Sequence, residues 1–167
     1  GVVRGADGRE RAMNFDQAFE ILIGHEGGYV DHPKDPGGET KYGISKRSYP
    51  GEDIPNMTLV RAKDIYQRDY WWKAGCDLVP DCVKFDLFDT AVNAGPGTAI
   101  RMLQRAVGVV DDGVIGPKTM QALGNVDPER LDKRFNGHRL DHLNNLDTWP
   151  DFGRGWAQRI AENLMKD

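Results

Sequence analysis

The sequence predicts a mainly α chain of α+β type: a helical bundle of two lobes with a small β-hairpin near the N-terminus. Three observations lead there. Apolar residues recur at helical spacing over most of the chain after Met13, Pro and Gly punctuate those runs at helix starts and ends, and the few strand-favouring residues gather in a Gly- and Pro-rich stretch from Gly27 to Ile44. At 167 residues with 39% hydrophobic content, the chain can bury one substantial core. Residues 13–80 are therefore expected to form a first lobe and 81–167 a second, packed together as one compact body. Residues 1–12 are Gly-rich and charged without periodicity, and read as an added or disordered tail ahead of a natural start at Met13.

Asn14 suits the cap of a first helix with Gln17 as its third residue, and Phe15, Ala18, Phe19, Leu22 and Ile23 share one helical face. Gly27 and Gly28 should stop this helix, leaving Glu26 in its final turn. Tyr29, Val30, Thr40, Tyr42 and Ile44 then suggest an irregular hairpin turning around Asp35 to Gly38. Thr58 caps a segment carrying Leu59, Ala62, Ile65 and Tyr66, closed by Gly75. Asp81 is expected to cap another, carrying Phe85, Phe88, Ala91 and Val92 and closed by Gly95. Ala99, Met102, Leu103, Ala106 and Val107 mark a helix before Gly108, while Pro117 and Pro128 suit first helical positions. Phe152, Trp156, Ile160 and Leu164 recur every four residues in an amphipathic last helix. Packing onto the body is the favoured role of that helix, with weak contact to an outer-membrane surface as the lesser one.

Composition excludes several partners. With 26 acidic against 22 basic residues, the chain lacks the positive footprint of a nucleic-acid binder. No apolar run approaches the roughly 20 residues of a membrane-spanning helix, and no signal peptide is evident. Two cysteines, Cys76 and Cys82, are too few for a disulfide framework and read as free thiols. His138 and His142 lie four apart, and His25 precedes Glu26, but Gly27-Gly28 replaces the second half of a HExxH helix. Asp31, Asp35 and Glu39 hint at a calcium loop that Pro33 and Tyr42 spoil. No metal or cofactor is expected.

The residues with chemical capacity cluster early. Glu26 lies 11, 7 and 4 positions after Phe15, Phe19 and Leu22, so helical geometry aims it toward the apolar side. Desolvation and the negative helix end would both raise its pKa, as a proton donor for glycoside cleavage requires. The same residue would also suit an exposed, frayed helix end. Asp35 and Thr40 follow in the hairpin, where a carboxylate and a hydroxyl can orient water or stabilise an oxocarbenium-like charge. Equally, Asp35 before Pro-Gly-Gly suits ordinary turn chemistry and Thr40 an ordinary strand position. Tyr29 and Tyr42 offer flat faces to sugar rings, whereas Trp71 and Trp72 look more like core. The Asn93 amide suits either a substrate acetamido group or its own helix end.

The run Glu26-Gly27-Gly28-Tyr29, Pro33, Asp35, Gly37-Gly38, Thr40 and Gly43-Ile44 resembles the signature of glycoside hydrolase family 108. A second stretch, Phe85, Asp86, Asp89, Ala91, Asn93-Ala94-Gly95, Gln104, Asp112 to Pro117 and Thr119, is similar to the peptidoglycan-binding region that follows in that family. Read on its own chemistry, Asp112-Gly113 and Gly116-Pro117 build turns and helix starts and carry no reactive group. The resemblance implies a lysozyme-like fold and a phage or prophage N-acetylmuramidase, an endolysin cutting the β-1,4 bond from N-acetylmuramic acid to N-acetylglucosamine. It implies Glu26 as general acid, with Asp35 and Thr40 handling the water or the developing charge. It also implies bacterial peptidoglycan as the partner and residence in the host cytoplasm until a separate pore gives access to the wall; a monomer is expected. Two rival readings are a non-catalytic wall-binding module and a zinc-dependent peptidoglycan amidase.

Overall fold

A computed structural model describes residues 3–4, 10–11, 13–25, 28–31, 33–34, 36–147 and 149–165. Strands β1 (Val3–Arg4) and β2 (Glu10–Arg11) pair antiparallel ahead of the helical body. Helix α1 spans Phe15–His25. Its start is a reciprocal capping box: the Gln17 backbone N–H donates to Asn14 Oδ1 at 2.9 Å, and the Asn14 N–H donates to Gln17 Oε1 at 3.2 Å.

The hairpin consists of β3 (Thr40–Lys41) and β4 (Ile44–Ser45), with Thr40 opposite Ser45 and Lys41 opposite Ile44. Its turn is therefore Tyr42-Gly43 and not the Asp35 to Gly38 segment expected from composition. Tyr42 has φ 51° and Gly43 φ 77°. Two consecutive positive φ angles are what a tight type I′ hairpin requires, and Gly supplies one of them without strain. The earlier segment still reverses the chain, because Val30 bridges Thr40 antiparallel.

Thr58 caps α2 (Leu59–Tyr66) as expected, accepting the Arg61 N–H. The chain then continues to Gly75 by way of a π-helical stretch, Gln67–Trp72. The wider turn shifts the inward face, so Trp71 is fully buried while Trp72 is 58% exposed. A short 3-10 turn, Cys76–Leu78, leads to α3 (Asp81–Ala94). Here Pro80 occupies the cap position and Asp81 is the first helical residue, without a side-chain cap bond. Asp81 acts instead through charge in the first turn, where the helix dipole favours an acid. Helix α4 (Pro96–Val107), α5 (Pro117–Asn125), α6 (Pro128–Asn144) and α7 (Trp149–Leu164) complete the bundle. All of α4, α5 and α6 carry Pro in the first turn.

Helix α3 is the hub, packed against α1, the π-helical stretch, α4 and α6. Every residue from Phe85 to Ala91 is buried, the pattern of a helix surrounded on all sides. Phe15, Trp71 and Phe88 form a ring triad at centroid separations of 5.4 to 5.8 Å, joined by Phe19 and Tyr66. Helix α7 packs onto α6 through a stripe displaced from the expected one. Gly153, Ile160 and Asn163 are buried and Trp156 half-buried, whereas Phe152 and Leu164 are exposed. The displacement follows Arg159 and Asn163, whose polar ends reach a buried carboxylate on α3. Among the described residues no helix is long and apolar enough to cross a membrane, and both cysteines are free.

Candidate active site

Glu26 and Asp35 lie outside the described residues, so the site is built from what surrounds them in sequence. The α1 stripe Phe15, Phe19 and Leu22 is buried, as the periodicity requires. The hairpin is fixed by backbone bonds: Val30 and Thr40 exchange N–H···O contacts of 2.8 and 2.7 Å, Lys46 donates to Glu39 O at 2.9 Å, and Arg47 donates to Gly37 O at 3.1 Å. Tyr66 then anchors the turn to α2, its hydroxyl donating to the Tyr42 carbonyl at 2.6 Å. Thr40 is thereby half-buried in a doubly paired strand.

Tyr29 is exposed, with its hydroxyl donating to Glu39 Oε2 at 2.8 Å. That bond, with minor burial and the Glu39 charge, raises the phenol pKa above its ordinary value. Tyr42 is half-buried against the core, with the Lys41 ammonium 5.5 Å from its ring centre. Tyr29, Thr40 and Tyr42 thus share one hairpin. Asn93 stands apart on α3, exposed and lining a cavity between α3, α4, α6 and α7 that, among the described residues, no hairpin residue borders. Among the described residues its amide makes no hydrogen bond to its own helix end, where Gly95 is the cap.

Sequence reasoning gave no role to the charged cluster beneath that cavity. Asp89 is fully buried, accepts hydrogen bonds from Arg159 Nε at 2.8 Å on Oδ1 and Asn163 Nδ2 at 2.9 Å on Oδ2, and is ion-paired with the Arg139 guanidinium at 2.9 Å. Burial alone would raise its pKa, but Arg139 first, then Arg159 and Asn163, outweigh that and hold it below the usual value. Asp86, one turn earlier, goes the other way. Burial and then its hydrogen bond and repulsion with Asp132 raise it well above the usual range, against the opposing pull of Asn136 and Arg139. The available signal was two carboxylates three residues apart within the apolar run Phe85 to Ala91.

The Asp112 to Thr119 stretch is structural, as its turn chemistry indicated. Gln104 is buried and clamps it: Nε2 donates to Asp112 Oδ1, the Val114 carbonyl and Thr119 Oγ1 at 2.8, 2.9 and 3.2 Å, while Oε1 accepts the Gly113 N–H at 2.9 Å. His138 is half-buried and His142 borders the cavity. Among the described residues no group of three His, Cys, Asp or Glu gathers as a metal site.

A helical bundle around one buried hub helix, with a small antiparallel sheet beside it, defines a protein of the lysozyme-like class. Residues 19–95 match the family described as glycosyl hydrolase 108, and residues 98–161 match that described as a predicted peptidoglycan domain. The solved structure of Brucella abortus SagA is similar over 89% of this chain and 90% of that one, at 38% sequence identity and a TM-score of 0.82. The curated proteins return no match. The chain belongs to the glycosyl hydrolase 108 family. It is accordingly a glycoside hydrolase of the muramidase type that degrades peptidoglycan, with peptidoglycan as its partner.

Proposed function

We propose that the protein hydrolyses the β-1,4 bond between N-acetylmuramic acid and N-acetylglucosamine, with Glu26 protonating the leaving oxygen while Asp35 and Thr40 assist the attacking water or the developing charge. What supports this most is the hairpin: Thr40 sits in a strand paired on both sides and tied to α2 through Tyr66, within the stretch matched to glycosyl hydrolase 108. Fixed polar groups of this kind serve catalysis because they need not reorganise as charge develops. Tyr29 and Tyr42 on the same hairpin are the proposed sugar-stacking residues, and Asn93 the acetamido contact. The biological role in this reading is host lysis by a phage endolysin, held in the cytoplasm until a pore opens the inner membrane. Action as a monomer belongs to the same reading, as does weak outer-membrane contact through the exposed Phe152 and Leu164.

The test is digestion of purified peptidoglycan, borohydride reduction and mass spectrometry of the new ends. Wild type should yield reduced muramic acid ends, and Glu26→Gln should lower their rate of formation by about 100-fold or more. Free peptides would instead identify an amidase. An absence of soluble product from wild type would leave only a wall-binding role.

A further inference from the structure

Helix α6 turns one polar face toward α3: Asp132, Asn136 and Arg139 follow one another at helical spacing and meet Asp86 and Asp89. The two ends of this seam differ. At one end Arg139 is ion-paired with Asp89, whose oxygens also accept from Arg159 and Asn163. At the other end, among the described residues, neither Asp86 nor Asp132 is ion-paired. Their shared partner is Asn136, 3% exposed. Its Nδ2 lies 3.1 Å from Asp86 Oδ2, 3.0 Å from the Asp132 carbonyl and 3.3 Å from Asp132 Oδ1. An amide nitrogen carries two N–H groups, so three acceptors crowd two donors. The other side of the amide brings no relief, because Asn136 Oδ1 is itself an acceptor and is buried without a partner. The Asp86 and Asp132 carboxyls also stand within hydrogen-bonding reach of each other. Two ionised carboxylates are acceptors only, so that contact requires a proton.

We propose that Asp86 and Asp132 hold one proton between them and so form a pH-sensitive latch between the hub helix α3 and the first half of α6. With the proton in place, one carboxyl donates to the other and the shortage of donors around Asn136 is made good. Without it, two negative charges face each other across a largely buried seam. Burial and then Asp132 hold Asp86 well above the usual carboxylate range, and Asn136 and Arg139 offset this only in part. The other neighbours supply no competing charge. Cys82, one turn before Asp86, donates its thiol to the Pro128 carbonyl at 3.3 Å and stays neutral, pushed up to about 11 chiefly by burial. Lys84 pairs with Asp81. Helix α1 and the π-helical stretch bring Phe15 and Trp71 to α3. The buried residues of α4 are apolar except Gln104, which is engaged with the Asp112 turn. At the far end of the seam Asp89 is held below the usual range, chiefly by Arg139, and so keeps its charge across neutral pH. Rising pH therefore frees the Asp132 end of α6 and leaves the Arg139 end held.

Two measurements on the whole chain between about pH 4 and pH 7 decide the matter: carbon-13 NMR titration of the aspartate carboxyls, and amide hydrogen exchange corrected for the intrinsic pH dependence of exchange. The Asp86 carboxyl should titrate at least about two pH units above the ordinary value of about 3.9. In Asp132→Asn the new amide donates to the Asp86 carboxylate, and the Asp86 midpoint should fall by at least about one unit, a tenfold loss of proton affinity. Protection at residues 132–136 should drop at least about tenfold from pH 4 to pH 7 in wild type and less than about threefold in the variant, because opening lets Asp86 ionise. Residues 139–144 should change less than about threefold in either protein. An Asp86 midpoint near the ordinary value, or one unchanged in Asp132→Asn, overturns the shared proton. A high midpoint with pH-independent protection at 132–136 overturns the latch. Should the variant fail to fold, the wild-type titration and exchange decide by themselves. Neither readout involves peptidoglycan, so the result stands apart from the muramidase reading.

Discussion

Asp86 and Asp89 stand one helical turn apart, 4% and 0% exposed, and their surroundings pull their titration in opposite directions. Asp86 has a raised pKa in the folded protein. As pH rises past the ordinary carboxylate value of about 3.9, the unfolded chain ionises first and folding stability falls until the folded group ionises too. Asp86→Asn removes that loss and can still meet Asp132 and Asn136. It should melt above wild type at pH 7 and converge with it near pH 3, as followed by circular dichroism. Asp89 has a lowered pKa, so its contribution is present above about pH 4 and is lost as pH falls below its folded value. Asp89→Asn removes the buried carboxylate that Arg139 and Arg159 both face, and should cost about 3–5 kcal/mol at pH 7. An unchanged melting temperature for that variant would remove the cluster from the account of stability.

At the scale of elements, a few long-range bonds decide how a loop or turn is held. The Gln104 clamp joins α4 to the Asp112 to Thr119 stretch by four hydrogen bonds. Gln104→Ala leaves the buried Thr119 hydroxyl and the part-buried turn without their partner and should cost about 1–3 kcal/mol, read as a lower urea midpoint with unchanged slope. Gly75 leads into the 3-10 turn at φ +70°, and a Cβ there would meet Ile115 Cδ1 at 2.6 Å. Gly75→Ala should cost roughly the 1–2 kcal/mol of a left-handed non-glycine residue, read as a lower urea midpoint, with the half-buried Ile115 side chain turning aside. The helix starts and stops at Asn14, Thr58, Gly95, Gly108, Pro117 and Pro128 were legible, because caps are local chemistry. The hairpin turn was not. Tyr42 is a good strand former forced to positive φ, and the Tyr66 hydroxyl that holds its carbonyl comes from 24 residues further on.

For the whole molecule, α3 is shared: it touches α1 and the π-helical stretch on one side, and α4 and α6 on the other. The two family-matched regions, 19–95 and 98–161, thus meet on one buried helix. Unfolding should be a single transition, with tryptophan fluorescence and far-ultraviolet circular dichroism coinciding across a urea titration. Separate midpoints would show that the hub does not couple the two. Phe88 lies at the centre, fully buried against Phe15, Tyr66 and Trp71. Phe88→Ala should cost about 3–5 kcal/mol and lower both signals together.

By itself the sequence determined the helices, most of their ends, the buried face of α1 and the family signature, since each rests on periodicity, cap chemistry or a contiguous motif. It also marked the hairpin that carries Thr40, Tyr29 and Tyr42. Only the tertiary structure decided where the hairpin turns, which stripe of α7 faces inward and where Asn93 stands relative to the hairpin. It alone brought Asp89 together with Arg139, Arg159 and Asn163, partners 50 to 74 positions away in the chain. The physical reason is range. Propensity and capping act over a few residues, whereas a buried charge is defined by whichever distant side chains the packing brings to it.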